Sequence, residues 1–375
     1  MKLHHLRAAF LTPSSLTVLI FVIIGNGCDK DGIACAENPV QGATKQVRLD
    51  SRVSLEVVFI PPGEFIMGST AAEKQWAVRQ DGGANFSSGG GVRESYEGEP
   101  RPMRVKDGFW MGRTEVTVAQ FRVFADTTGF VTDAEQPGGT TMCFDTTWVP
   151  QHGNSGQPPH PWVDMEDKSW RNPNHGVILQ DNFPVVCVSY NDMKAFCAWL
   201  TEKERNAGSL PDGLIYRLPT EAEWAYACRG GRHDSSYFWW GNDLNDAKGR
   251  LNISAIDFLP DRDEVWPGAK LPWSDGFAMV STVDRYGERG RNGFGLADML
   301  GGVWEFTLDH FDPKGGHKDV HYVDAELRTV LSPVCRGGNY YDVPGNARCA
   351  VRLGIYSVTY SDSRDGFRIC LGGPR

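Results

Sequence analysis

Glycine and proline interrupt this chain at short intervals, which limits the length of any regular element. The sequence contains 43 glycines and 22 prolines among 375 residues. Glycine favours turns, and proline lacks the backbone N–H that helices and sheets require. Hydrophobic residues still make up 41% of the chain, which is enough for a sizeable core. We therefore expect one folded, loop-rich domain.

Three segments have the features of an amphipathic helix that begins at a capping residue and stops at a glycine. The proposed caps and the glycines that follow are Thr117 and Gly129, Ser189 or Asn191 and Gly208, and Thr220 and Gly230. The remaining sequence is strand-like or irregular, without internal repeats or alternating strands and helices. This pattern predicts an α+β fold.

Two further segments carry local predictions. Strand-like residues on both sides of Pro61-Pro62-Gly63 indicate a hairpin. The glycine- and serine-rich stretch from Asp81 to Pro100 is typical of a mobile surface loop.

The first 50 residues have the composition of a targeting signal followed by a linker. Residues 1–27 contain Lys2, Arg7 and a short apolar run, which predict a cleaved signal peptide. Cys28 follows small residues, as in a bacterial lipobox, so the alternatives are a lipidated Cys28 and a plain cleavage site. Residues 28–50 are polar and predict a tether, which places the domain at 51–375. The expected location is the periplasm or cell envelope, with membrane contact only through such an anchor.

The charge of the chain argues against a nucleic-acid partner. The formal net charge is −9, and the sequence has no dense run of lysine or arginine. Proteins that bind nucleic acids usually present a basic surface to the phosphates. An exported polypeptide or an envelope protein is the expected partner.

Several motifs occur together between residues 51 and 371. They are Ile60–Gly68, Gly112–Thr117, Gly129–Thr132, Pro184–Tyr190, Tyr216–Trp224, Asn292–Glu305, Arg336–Gly338 and Asp365–Arg368. In this order they resemble the formylglycine-generating-enzyme, or sulfatase-modifying-factor, family. The resemblance implies that family's fold, which is related to C-type lectins.

The resemblance also implies two structural calcium sites. Calcium takes about six to eight oxygen ligands, which carboxylates, amides and backbone carbonyls supply. The first set comprises Asn252, Ile253, Asp275 and Phe277, and the second comprises Asp298, Gly301, Val303 and Glu305. Ordinary solvated or capping side chains are the alternative.

The cysteines suggest disulfides if the protein is exported. By resemblance, Cys228 pairs with Cys349, and Cys197 pairs with Cys370. Cys370 stands one residue later than the family cysteine, a shift that would reverse its side of a strand. Buried thiols are the alternative. The pairing of the other cysteines stays open, namely Cys35, Cys143, Cys187 and Cys335.

The catalytic centre is where the sequence departs from the family. Formylglycine-generating enzymes bind copper(I) through two cysteines that follow an Arg-Gly-Gly-Ser strand. Here Asn339 replaces the serine, Asp342 takes the first cysteine position, and Ala347 lies at or near the second. Carboxylate and methyl groups are poor substitutes for thiolates as copper(I) ligands. Copper binding is therefore doubtful.

A histidine-rich segment offers another candidate metal site. It contains His310, His317 and His321 among Asp309, Asp312 and Asp319. Their spacing follows no helix face, so a solvated polar loop is the favoured interpretation.

Two functions remain open. One is an oxidase of the formylglycine-generating type that acts on an exported polypeptide or small thiol. The other is a non-catalytic, calcium-stabilised recognition or assembly module of the envelope.

Overall fold

The structure is a computed structural model, and it describes residues 39–79, 82–83, 97–147, 161–256, 271–310, 332–354 and 357–375. Residues 39–375 form one compact unit. The described residues hold four α-helices and thirteen β-strands, with long irregular connections. The expected α+β, loop-rich, single-domain architecture is confirmed. Within this part of the chain, no helix is long and apolar enough to cross a membrane.

The helices are α1 (Ala71–Val78), α2 (Val118–Thr128), α3 (Tyr190–Asn206) and α4 (Glu221–Cys228). Thr117, Ser189 and Thr220 cap α2, α3 and α4 through reciprocal capping-box hydrogen bonds. Gly129 ends α2 with a left-handed φ of 68°. The three helices predicted from the sequence are confirmed, and Ser189 rather than Asn191 caps α3.

Helix α1 was not expected from the sequence. Thr70 Oγ1 accepts the Glu73 N–H at 3.1 Å, which is an ordinary N-cap. The Glu73 carboxylate pairs with Arg348, whose side chain is fully buried, and Arg348 also donates to Glu97 at 2.6 Å. One guanidinium thus joins α1 and Glu97 to the segment just before Cys349.

The strands in chain order are β1 (Thr44–Arg48), β2 (Ser54–Ile60), β3 (Gly63–Met67), β4 (Arg101–Val105), β5 (Phe109–Gly112), β6 (Thr141–Phe144), β7 (Trp162–Met165), β8 (Ile215–Arg217), β9 (Trp304–His310), β10 (Pro333–Arg336), β11 (Arg352–Gly354), β12 (Asp365–Gly366) and β13 (Cys370–Gly372). An antiparallel five-stranded sheet has the order β1-β2-β5-β13-β8. Its edge strand β1 consists of residues that the sequence assigned to the tether, so regular structure begins before residue 51.

Side chains of a strand alternate between the two faces of its sheet, and in this sheet both faces pack against a buried apolar cluster. On β2, Leu55 and Val57 join a core cluster with helices α2 and α3. Val58 and Ile60 point to the other face and join a cluster that contains α4. The sheet therefore lies in the interior, between two apolar layers.

A second, four-stranded sheet has the order β11-β10-β9-β12 and brings distant motifs together. In its register, Glu305 on β9 lies opposite Arg336 on β10 and Gly366 on β12. Three family motifs that are far apart in sequence thus become neighbours in space.

Two local expectations need correction. The predicted hairpin around Pro61 is wrong, because β3 pairs with β4 whereas β2 pairs with β1 and β5. The prolines turn the chain from one sheet into another. The surface-loop prediction for 81–100 fails at its C-terminal end, where Glu97 is 2% exposed and bonds to Ser69 and Arg348. Residues 84–96 lie outside the described residues.

Candidate functional site

The segment after β10 holds the positions that carry the family's chemistry. Gly337 and Gly338 have φ values of 100° and 79°, a region that side chains disfavour. A Cβ on Gly337 would lie 3.2 Å from the Met299 carbonyl oxygen, and one on Gly338 would lie 2.9 Å from that of Asn346. The two glycines allow a tight turn that folds residues 339–349 back onto the domain.

Asp342 is buried in this turn and is held by its own neighbours. Its carboxylate accepts the Asn339 N–H at 3.0 Å and the Asn346 side-chain amide at 2.9 Å. Asn339 in turn accepts the Tyr341 N–H at 2.7 Å. Asp342, which the sequence analysis assigned to the first family cysteine position, is therefore a carboxylate that stabilises the turn.

Ala347 lies in an apolar environment. It is fully buried and packs in a small core cluster with Leu251, Ile253 and Leu271. A methyl group offers no electron pair to a metal. The donor set of Asn339, Asp342 and Ala347 does not fit copper(I), which prefers soft sulfur ligands.

Several of the motifs identified in the sequence meet at the buried guanidinium of Arg368. It pairs with Glu305 and donates to the carbonyls of Gly112 and Ala297. Glu305 also accepts the indole N–H of Trp224 at 2.8 Å. These contacts give the motifs a structural purpose, since Arg368, Glu305 and Trp224 satisfy one another's buried polar groups across motifs.

The four residues of the first calcium set are brought together. Asp275 accepts hydrogen bonds from the Asn252 side chain and from the backbone N–H groups of Ile253 and Phe277. The Asn252 side-chain oxygen accepts the Ser281 N–H. These hydrogen bonds already use the side-chain oxygens of Asp275 and Asn252. A calcium ion could bind those oxygens only if it replaced the hydrogen bonds.

The second calcium set differs from the first in its excess of buried carboxylates, although Asp298 also accepts the Asp284 N–H and Glu305 is paired with Arg368. Asp298 and Glu305 interact electrostatically with Glu115, which the sequence did not assign as a ligand. The positive charge of Arg368 interacts with all three carboxyl groups. Among the residues that the structure describes, none forms a hydrogen bond with the buried Glu115 Oε2. Burial, together with the neighbouring carboxylates, raises the pKa of Glu115, and burial raises the pKa of Asp298 to about 6. Surplus buried negative charge is the environment in which a calcium ion is stabilising.

Gly301 and Val303 complete that second set through the backbone. Gly301 has a φ of 79°, and a Cβ there would lie 2.4 Å from the Asn252 carbonyl oxygen. The two proposed calcium sets are therefore adjacent. Within the described residues, no cluster of three or more His, Cys, Asp or Glu side chains is arranged as a metal site. Backbone and amide oxygens would have to complete the ligand shell.

The structure places one of the two predicted cysteine pairs in contact. Cys228 and Cys349 have their sulfur atoms 3.5 Å apart as two buried thiols, so the predicted pair meets. Cys197 and Cys370 are also buried thiols, and the Cys370 sulfur lies 4.0 Å from a Glu223 oxygen. The described residues show no sulfur contact between these two.

One sulfur contact was not foreseen, between Cys143 and Cys187 at 3.7 Å. Cys335 is a further buried thiol. Cys28 and Cys35 lie outside the described residues.

The histidine-rich segment lies largely outside the described residues, which end at His310 before resuming at 332. His310 is the last residue of β9 and packs on Tyr190, with ring centroids 5.6 Å apart. Asp309 accepts the Glu221 N–H at 2.5 Å. These two residues are thus occupied by structural contacts.

A model of the family described as "Sulfatase-modifying factor enzyme 1-like domain" matches residues 44–371. This chain belongs to that family. The Streptomyces coelicolor "Formylglycine-generating enzyme" is 32% identical over 321 residues, which cover 81% of this chain and 85% of the relative. The Bos taurus "Inactive C-alpha-formylglycine-generating enzyme 2" is 28% identical over 344 residues, covering 88% and 92%.

Other members of the sulfatase-modifying-factor family extend the comparison. The Mus musculus "Formylglycine-generating enzyme" is 33% identical over 281 residues, covering 69% of this chain. The chain spans just under two thirds of the mouse and bovine enzymes' length, 62% and 66%. The solved structure of PvdO from Pseudomonas aeruginosa aligns with a TM-score of 0.57 at 20% identity, covering 89% of this chain and 99% of PvdO. That likeness supports the shared fold.

Proposed function

We propose that this protein is a non-catalytic binding module on a sulfatase-modifying-factor fold and does not form formylglycine. The observation that carries the proposal is the state of Asp342, whose carboxylate is bound by the turn's own N–H groups. The second position, Ala347, is a buried methyl group. Copper(I) chemistry needs soft ligands that neither residue supplies. The scaffold is retained without its usual centre, and a fold alone does not imply an activity.

The family itself contains precedents for this separation of fold and activity. The relatives from cattle and mouse named inactive align with this chain over 88% and 83% of its length. Their names support the idea that the scaffold persists where the oxidase chemistry has gone. The binding role is our inference for this chain.

The proposed ligand is an exported polypeptide or an envelope protein. Residues 1–27 have the composition of an export leader, and Cys28 follows small residues as lipid-modified cysteines do. We place the protein in the periplasm or cell envelope, with a lipid on Cys28 as its membrane link. The acidic chain, with net charge −9, supports a protein ligand over a nucleic acid.

Structural calcium is part of the proposal. The second set would hold it through Asp298, Glu305 and the carbonyls of Gly301 and Val303, and Glu115 would face the ion with its unpartnered oxygen. The ion would offset the excess of buried carboxylates over the single Arg368 guanidinium. Its contribution would be to the stability of irregular segments that have little apolar core.

The deciding experiment measures formylglycine formation directly. The full chain, produced in an oxidising compartment, is loaded anaerobically with copper(I) and then given oxygen and a sulfatase-type cysteine peptide. We expect no aldehyde on the peptide by mass spectrometry. The Streptomyces coelicolor enzyme, treated identically, is the positive control. Copper-dependent aldehyde formation by this chain would overturn the proposal and return it to the oxidase class.

A second readout separates loss of chemistry from loss of folding. Calcium content and the thermal unfolding midpoint are measured on the same preparation before copper loading. Aldehyde-negative protein that unfolds cooperatively supports a folded, inactive scaffold. If aldehyde did form, it would be measured again in the Cys143→Ala variant. Aldehyde formation that persists in this variant would mean that thiols other than Cys143 support it, and would equally contradict a non-catalytic role.

A further inference from the structure

Two cysteines outside the family motifs lie side by side in the interior. Cys143 on β6 and Cys187, three residues before α3, have their sulfur atoms 3.7 Å apart, although 44 positions separate them in sequence. Both side chains are fully buried. We propose that Cys143 and Cys187 form a disulfide in the mature protein. This inference rests on the export of the chain, which is part of the proposed function, and is independent of whether the domain is catalytic.

The backbone, rather than a chance side-chain rotamer, brings the two sulfurs together. Cys187 and the residue before Cys143 both form backbone hydrogen bonds with residues 361–363. Met142, next to Cys143, donates to the Ser361 carbonyl at 3.0 Å and accepts the Ser363 N–H at 2.9 Å. Cys187 donates its own N–H to the Asp362 carbonyl at 2.9 Å. One short segment therefore fixes the relative position of both cysteines.

Cys187 also has a backbone conformation that is unusual for its residue type. Its φ is 56°, in the left-handed region that residues other than glycine seldom adopt. Such a conformation persists where the surrounding structure enforces it. At Cys187 the hydrogen bond to the Asp362 carbonyl helps to hold this backbone, and the sulfur atom it positions lies 3.7 Å from that of Cys143.

A metal site is a weaker interpretation of this pair. Metal-binding and nucleophilic cysteines act as thiolates, which favour positive or partly exposed surroundings. Here burial raises the pKa of Cys187 well above its usual value, and the Cys143 thiol and Asp362 raise it further. The described residues provide no third His, Cys, Asp or Glu ligand in a metal-binding cluster. A disulfide carries no charge, so it suits this buried, apolar cluster better.

The bond needs an oxidant, and we assign that role to a disulfide, such as glutathione disulfide or an exported thiol–disulfide oxidoreductase. The Cys143 and Cys187 thiols together lose two protons and two electrons, and one S–S bond forms. The oxidant's own S–S bond breaks and takes up those electrons and protons as two thiols. Because the pair is inaccessible in the folded domain, exchange occurs while the chain folds.

The first test maps the bond in the unmodified chain. The full sequence is produced with its own N-terminus in an oxidising compartment, quenched with acid, alkylated while denatured and digested. We expect one cross-linked species that joins the Cys143 and Cys187 peptides and is lighter by two hydrogen atoms than the reduced pair. The inference would be overturned if Cys143 and Cys187 were both alkylated in protein whose Cys228 is linked to Cys349. If no cysteine at all is oxidised, the protein is refolded with glutathione disulfide and mapped again. Alkylation of both Cys143 and Cys187 after that step would also overturn the inference.

The second test uses the number of alkylatable thiols. In the disulfide form, Cys143→Ala frees its partner, so this variant shows one more free thiol than the wild type although it contains one fewer cysteine. The control is Cys335→Ala, which removes a buried thiol on β10 and should lower the count by one. A lower count for Cys143→Ala as well would show that both residues were thiols. Counting is done after denaturation, so that buried thiols are included, and each variant is compared in preparations whose peptide map shows the same Cys228–Cys349 link as the wild type.

Discussion

Arg368 and Glu305 form a two-bond ion pair inside the domain, with both N···O distances at 2.6 Å and both side chains at most 1% exposed. Arg368→Met removes the cation and leaves the Glu305 carboxylate buried without it. Breaking a buried pair from one side costs about 3–5 kcal/mol of unfolding free energy. Urea unfolding measures the loss. Arg205→Ala breaks the exposed Arg205–Glu202 pair and should change stability by less than about 1 kcal/mol. Similar effects for the two variants would contradict the role given to Arg368.

Glu73 should make stability depend on pH near neutrality. Burial raises its folded-state pKa from 4.5 to about 7, despite the neighbouring Arg348. A raised carboxyl pKa means that the folded state binds the proton more tightly, so the Glu73 contribution is greatest below pH 4.5 and is lost as pH rises to about 7. The change is on the order of 3 kcal/mol across this window.

The Glu73→Gln variant isolates this effect. Burial lowers the pKa of His175 from its usual value of 6.5 to about 4, so this residue gives the opposite dependence of stability on pH between pH 4 and 6.5. We therefore compare Glu73→Gln with the wild type at each pH by urea unfolding. The variant should gain stability relative to the wild type as pH rises from 4.5 to 7. Exposed Glu202→Gln is the control, and an equal pH trend in both variants would refute the assignment.

Removing calcium should lower the thermal unfolding midpoint. Chelation with EDTA would remove the ion proposed near Asp298 and leave the carboxylate excess uncompensated. We expect a lower midpoint by scanning calorimetry, restored by calcium. Asp298→Asn should reduce both the bound calcium and the EDTA effect, whereas Asp212→Asn, at an exposed position, should preserve both. Metal-free protein with an unchanged midpoint would rule out the second calcium set.

Gly337→Ala tests the turn that carries the altered centre. At φ 100°, a Cβ would also lie 3.2 Å from the Met299 carbonyl oxygen and 3.3 Å from the Trp224 ring. Gly129→Ala is the matched control, since its φ of 68° is also positive but nothing lies within 4 Å of its Cβ position. The control should cost about 1–2 kcal/mol from backbone strain alone. Urea unfolding should give a larger loss for Gly337→Ala, and equal losses would mean that the turn adapts.

The sequence predicts well those features whose determinants are local. The caps at Thr117, Ser189 and Thr220 are satisfied within three residues, so each helix start is visible in the sequence. Thr70 is a comparable capping residue for helix α1. The Glu73 side chain of this helix, however, pairs with Arg348, which is 275 positions away in sequence. The assignment of Asp342 to the first copper-cysteine position, and of Ala347 at or near the second, comes from a motif alone and stays a prediction.

Features that depend on distant partners were not predictable in the same way. Nothing local in Pro61-Pro62-Gly63 distinguishes a hairpin from a crossing between sheets, because the partner strand β4 starts at Arg101. The contact between Cys143 and Cys187 depends on the segment around Asp362. Glu115 lay within a recognised motif, yet only the fold places it beside Asp298 and Glu305.

The Arg348 guanidinium joins three parts of the chain that are far apart in sequence. It holds Glu73 on one side and Glu97 on the other, and Gly345 donates its N–H to the Gly82 carbonyl at 2.6 Å. Helix α1, Gly82 and Glu97 are therefore all attached to the short segment that precedes Cys349. A substitution at Arg348, close to the C-terminus, would release Glu73 and Glu97 together, so a late segment of the chain stabilises an early one.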